Sequence, residues 1–256
     1  MKMAIRYALA VLSLSLVAPA GFAAGSKFPL DSVDIDHSDK ASLQRGAKTF
    51  VNYCMGCHSA SYHRYSRMAA DLGLPDDIVQ ENLIFTTDDK GEPTKIGALM
   101  DSTMDEDYAK TMFGTVPPNL ALISRSRNAE WLYTYMRTFY RDPSRSGVGV
   151  NNLVFPDVGM PHVLWELQGW QEPVFETVVV DGRETQQFVE FEVVSEGKLS
   201  PEEYDELVRD LVNFLDYLGD PIKSERHRIG FWVMLFLGVF FIFAWLLKRE
   251  YWRDIH

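Results

Sequence analysis

The chain has 256 residues, 36 Asp and Glu against 25 Lys and Arg, a formal net charge of −11 and 46% hydrophobic residues. That acidic balance excludes nucleic acid as a partner, because a polyanion would be repelled. With the two ends set aside, about 200 residues remain, enough to bury a core and few enough to form one domain.

The N-terminus, MKMAIRYALAVLSLSLVAPAGFAAG, carries Lys2 and Arg6, then an apolar run from Tyr7 to Val17, then small residues at Ala23 and Ala24. These are the zones of a secretory signal peptide, so residues 1–23 are expected to be cleaved off near Ala23 or Ala24. Pro19 and Gly21 break the run before it is long enough to span a bilayer.

Ser38 to Asn52 has Leu43, Ala47, Phe50 and Val51 at helical spacing, with Ser38 available as a cap, and predicts a helix that ends just before YCMGCHS. From Asp71 to Pro118 the turn clusters LGLPDD, DDKGEP and TVPPN predict long loops with short helices. NAEWLYTYMRTFY, Asn128 to Tyr140, predicts a second helix, and an irregular stretch containing FPDVGMPH follows.

Between Phe175 and Val194 the period changes, with Val189, Phe191 and Val193 alternating with Glu190 and Glu192 and a turn signal at Asp181-Gly182, so a β-hairpin is expected. Next comes a helix with a capping box of Ser200 and Glu203, Pro201 at its first position and an apolar face of Leu207, Val208, Leu211, Val212, Leu215 and Leu218. Gly219 and Pro221 terminate it.

Ile229 to Leu247 is a run of 19 residues without a charge, long enough to cross the hydrocarbon core, and aromatic residues sit near its ends. Basic residues flank both sides, Lys223, Arg226 and Arg228 before and Lys248, Arg249 and Arg253 after, so charge does not choose the orientation. The signal peptide does: residues 24–222 form an exported domain, and 223–256 supply the anchor and a short cytoplasmic tail.

Both cysteines of the chain lie in YCMGCHS, with His58 directly after the second. A disulfide oxidoreductase wants this pair at a helix start after a strand, whereas here a helix precedes it. A structural zinc site needs four ligands, and the sequence has no second Cys-x-x-Cys. Covalent attachment of haem explains all three residues: Cys54 and Cys57 add across two vinyl groups from one helical turn, and His58 is then held beneath the porphyrin as an iron ligand.

The sixth iron position separates electron carriers from haem enzymes and sensors, and a thioether there raises the potential and blocks small ligands. Met160, between Gly159 and Pro161, sits in a turn that could present its side chain to a flat cofactor. Met100, Met104 and Met112 compete for the role, as do His63 and His162, whereas Met136 on its aromatic helix reads as core.

YCMGCHSASYHRY, VPPNLALISRSR, FPDVGMPHVLWE, the capped helix and the terminal span, in that order, resemble the cytochrome c1 family, most closely its proteobacterial form. The resemblance implies a mainly α c-type cytochrome domain with a β-hairpin insertion and one C-terminal transmembrane helix, the helix from Ser200 packing across that of Ser38 to Asn52. It implies one haem c, attached through Cys54 and Cys57, with His58 and Met160 as axial ligands. Pro118 is implied at the haem edge, and Arg127 or Arg125 as partner of a haem propionate.

The function so implied is electron transfer from a Rieske iron–sulfur protein to a cytochrome c acceptor, as a subunit of the quinol–cytochrome c reductase (bc1 complex) that is not catalytic alone. A cytochrome b subunit and membrane lipid are the implied partners of the anchor, and the bacterial inner membrane, with the haem domain in the periplasm, is the implied location. Alternatives are an anchored cytochrome c serving an oxidase, or a haem enzyme or sensor with an open sixth position. From Glu172 to Asp216 there are 13 Asp or Glu against Arg183, Lys198 and Arg209, either a solvated face or a docking surface for a basic protein.

Overall fold

A computed structural model describes residues 28–88, 90–180 and 183–255, so the leader sequence and the Asp181-Gly182 turn lie outside the described residues. The first helix, α1, spans Lys40–Thr49, and the capped helix, α8, spans Pro201–Gly219; their crossing is the centre of the fold. Leu43, Ala47 and Phe50 on one side and Val208, Leu211, Phe214 and Leu218 on the other are all but fully buried. Excluding that apolar surface from water is the main stabilising term.

Gly46 sets how closely the two helices approach. A Cβ at this position would stand 2.1 Å from the Asp210 carbonyl oxygen and 2.7 Å from Phe214 Cβ. Beside this contact Asp210, 2% exposed, accepts from Ser42 Oγ at 2.7 Å and from Arg45 Nε at 2.5 Å. Its buried charge is thereby paired and hydrogen-bonded.

α8 begins with the predicted capping box and Pro201. α1 differs from expectation at both ends. Asp39, rather than Ser38, caps it by accepting from Ser42 N, while Ser38 Oγ donates to Asp36 at 2.6 Å. Nor does the chain leave the helix before the cysteines: a π-helical turn, Phe50–Cys54, continues α1 into the motif.

Short elements then build the wall between these helices. β1 (Ala60–Arg64) leads into α2 (Tyr65–Leu72) and α3 (Asp76–Asn82), and β2 (Leu99–Met100) pairs antiparallel with β1 through Ala60 and Met100. α4 (Glu106–Phe113) and α5 (Ile123–Arg127) follow, then α6 (Ala129–Arg137). Asn128, at φ 58°, ends α5 and caps α6 by accepting from Trp131 N at 2.8 Å. Its ψ of 167° lies outside the left-handed helical region, a backbone conformation that side chains other than glycine rarely adopt.

α6 ends short of the predicted Tyr140, because Phe139–Arg141 forms β3, paired with β4 (Val150–Asn152). Arg137 ties α6 to α8 through Asp205 at 2.6 Å, and Tyr204 Oη donates to the Met136 carbonyl at 2.9 Å.

After the single turn α7 (Trp165–Gln168), the hairpin is longer than the sequence suggests: β5 is Gly169–Val180 and β6 is Arg183–Glu196. Bulges after Trp170 and Val174 interrupt its register, so Glu172 faces Glu192 and Phe175 faces Phe188. α9, Lys223–Tyr251, has none of its residues buried and is long and apolar enough to cross a membrane. Two acids at the end of α8 join it to the domain, Asp216 to Lys223 at 2.9 Å and Asp220 to Arg226 at 2.6 Å.

Candidate haem site

The π-helical turn delivers the motif as one compact turn. Cys57 N donates to the Cys54 carbonyl at 3.1 Å and His58 N to the same oxygen at 2.9 Å, which keeps both sulfurs and the imidazole on one turn of chain. Both cysteines are free thiols. Burial pushes Cys54 up to about 12 and raises Cys57 as well. A disulfide-exchange cysteine needs the opposite, a depressed pKa.

His58 is held by its ring. Its Nδ1 lies 2.7 Å from the Pro118 carbonyl, an oxygen that can only accept, so Nδ1 carries the proton and the Nε2 lone pair is left for another partner. Burial lowers the pKa of His58, with the Pro118 bond opposing it, so the ring is neutral near pH 7 and able to bind a metal. The loop that follows Pro118 is itself held. Leu120 N donates to the Ser59 carbonyl at 2.8 Å, and Asn119 Nδ2 donates to Ser61 Oγ at 2.8 Å while its Oδ1 accepts from Ala121 N.

The two arginines of SRSR point to different neighbours. Arg125 forms an ion pair with Asp220 at 3.5 Å. Arg127 has no carboxylate within ion-pair distance among the described residues; its guanidinium lies 4.9 Å above the Trp131 ring and 5.8 Å from that of Phe155. Trp131 stacks on Tyr135 at 4.9 Å and 12°, and the Tyr135 hydroxyl donates to Met160 Sδ at 3.4 Å. Trp131 and Tyr135 are i, i+4 neighbours on α6, and Arg127 reaches the first ring from the end of α5, so these contacts make a single stripe running from the free cation to the thioether.

The competing ligands fall in different settings, Met104 being half-buried before α4. Met100 is fully buried in β2, Met112 is exposed on α4, and His63 donates from Nε2 to the Leu218 carbonyl at 2.7 Å. Met136 is core, as its helix suggested. His162 stacks on Phe139 at 5.0 Å and 3°, neither ring nitrogen has a hydrogen-bond partner among the described residues, and burial takes it down to about 4.

This donor set suits a covalently held haem. Two unpaired thiols and a neutral imidazole share one turn, a thioether lies in an aromatic setting, and an unpaired cation stands at the other end of the stripe. Leu122 and Phe155 remain 48% and 43% exposed, apolar surface that a flat apolar group can cover. The roles of Trp131, Tyr135 and Asn119 escaped the sequence reading, although the 127/131/135 spacing was visible in it.

A profile of the Cytochrome C1 family matches residues 32–255. A cytochrome c1 of Allochromatium vinosum is 49% identical over 249 residues, 97% of this chain and 99% of that protein. A protein of Nitrosomonas europaea named ammonia monooxygenase gamma subunit is 44% identical over 246 residues, 96% of this chain and 97% of that one. A cytochrome c1 of Blastochloris viridis is 25% identical over 85% of this chain and 82% of its own length.

Proposed function

The chain belongs to the cytochrome c1 family, and we propose that it carries one haem c on Cys54 and Cys57 with His58 and Met160 as axial ligands. In this reading it passes single electrons from a Rieske iron–sulfur protein to a cytochrome c acceptor within a quinol–cytochrome c reductase. The observation that carries the reading is the hydrogen bond from His58 Nδ1 to Pro118, which fixes the tautomer that offers Nε2 to a metal.

The bound haem supplies a one-electron ferric–ferrous couple. Cys54 and Cys57 would hold the group against loss in an exported compartment, and His58 would offer Nε2 to the iron. Met160 supplies a soft thioether that favours the reduced state and excludes small ligands. Arg127 is the propionate partner, since it has no carboxylate of its own among the described residues, whereas Arg125 serves the Asp220 cluster beside the anchor. Pro118 orients His58 at the exposed edge of the site.

α9 anchors the chain in the bacterial inner membrane and packs on a cytochrome b subunit and lipid, leaving the haem domain in the periplasm. Purification from native membranes through a tag after His256 tests this. Co-purified b-type haem, and reduction of the c-type haem by quinol only when an iron–sulfur subunit is present, are the expected results. A c-type haem that arrives alone or with an oxidase overturns the assignment to the reductase.

A further inference from the structure

Every aromatic ring along α6 has a packing partner, but one phenol reaches beyond packing to the sulfur of Met160. Resting on the assignment of Met160 as axial ligand, we infer that Tyr135 is a positioning residue for that thioether, its hydroxyl orienting Sδ and drawing density from the lone pair not offered to iron. The sulfur then donates less to oxidised iron, so the hydrogen bond raises the reduction potential of the site.

The position of the hydroxyl is over-determined. The Tyr135 ring is stacked on Trp131 and set edge-on to Phe139 at 5.0 Å and 70°. Its backbone carbonyl accepts from Asn152 Nδ2 at 2.8 Å, which locks α6 to β4 at this residue. Tyr135 is 9% exposed, so its O–H has lost most of its access to water and requires a protein acceptor. Met160 Sδ, at 3.4 Å, is the acceptor it has among the described residues.

A phenol has an ordinary pKa of about 10, so at neutral pH the group is a protonated donor. A thioether sulfur has two lone pairs, and coordination uses one of them. Donation to the other is therefore compatible with ligation and acts on the strength of the ligand.

The attachment motif supplies an internal control. Tyr65 Oη donates to Met55 Sδ at 3.3 Å, the same pairing of groups on a sulfur inside the attachment motif that is not an assigned ligand. Removing either hydroxyl leaves the ring in place and takes the donor from one sulfur; the Tyr65 hydroxyl also meets Thr86, so its removal is the larger local perturbation of the two.

The experiment compares the full-length, haem-loaded protein in detergent with its Tyr135→Phe, Tyr65→Phe and Met160→Leu variants. It records the weak red-region band of thioether bound to ferric iron, the midpoint potential and carbon monoxide binding to the reduced form. Tyr135→Phe is expected to keep the band, shift its position and lower the midpoint, so that the reduced-to-oxidised ratio at the wild-type midpoint falls several-fold. Tyr65→Phe is expected to leave band and midpoint where they were.

An unmoved midpoint in Tyr135→Phe overturns the inference, as does an equal shift in Tyr65→Phe, which would mean that lost packing is the cause. Met160→Leu separates this from the reading beneath it. If it abolishes the band and opens the iron to carbon monoxide while Tyr135→Phe does nothing, only the role of Tyr135 falls. If Met160→Leu changes nothing, the ligand assignment falls and the role of Tyr135 with it.

Discussion

The Nδ1–H of His58 donates to the Pro118 carbonyl at 2.7 Å, joining residues 60 apart in the chain. The imidazole is thus oriented by a backbone atom rather than by a side chain, and no substitution at position 118 removes that acceptor. What can be loosened is the loop that aims it, and here Asn119 and Ser61 hold the neighbouring position.

Ser61→Ala should cost about 0.5–1 kcal/mol and Asn119→Ala more, because it also loses the bond from Ala121 N, and the double variant should cost little more than Asn119→Ala, because the shared bond is lost only once. Urea denaturation of the haem-loaded protein measures this. Fully additive losses would show that the 2.8 Å contact does not couple the two side chains.

Gly46→Ala should destabilise by about 3 kcal/mol or more, since its Cβ would press on the Asp210 carbonyl, a backbone atom that cannot turn aside. The helices would have to separate along their most buried seam. A denaturation midpoint within error of the parent would contradict the close crossing of α1 and α8.

Asp216 is held at about 2, below its ordinary 3.8: burial alone would raise it, but hydrogen bonds from His37 and Lys223, with their charges, outweigh burial. A carboxylate depressed in the folded state contributes stability above its unfolded pKa and loses it as pH falls through the folded one. The contribution should therefore disappear between about pH 4 and about pH 2. Asp216→Asn is expected to be less stable than the parent near neutrality, and the gap should close across that window in stability curves measured against pH. A constant gap would remove the ionised Asp216 from the account.

Arg125 and Arg127 should separate by readout. Arg125→Gln takes a partner from the buried Asp220, which keeps Arg226, so a loss of about 1 kcal/mol in stability is expected with the potential little changed. Arg127→Gln should alter stability by less than about 0.5 kcal/mol and, on the proposed pairing with a propionate, lower the potential, because removing a cation beside the haem favours the ferric state. Redox titration and denaturation of both variants check the pair, and the reverse pattern would exchange their roles.

The acidic stretch shows how far composition carries an argument. Its 13 carboxylates read as one block. In the fold Asp205, Asp210 and Asp216 hold Arg137, Arg45 and Lys223, while Glu176, Glu190 and Glu192 stand exposed on the hairpin. Exposed members such as the second group, and not the paired aspartates, are free to meet a basic partner. Charge runs do not reveal which members face inward, because that depends on the helix against which they pack.

The sequence by itself determined whatever depends on neighbours within a few turns of chain: the Cys-x-x-Cys-His turn, the capping box of Ser200 and Glu203, the apolar face of α8 and the uncharged run of α9. Local spacing dictates these, since side chains three or four residues apart share a helix face and a long apolar run admits few structures. Tertiary structure decided that Pro118 meets His58, that Tyr135 meets Met160 and that Arg125 turns to Asp220 while Arg127 stacks on Trp131. Most of those pairs are far apart in sequence and depend on the crossing angle of helices and the path of loops. Packing sets such geometry across the whole core, and no short window of residues encodes it.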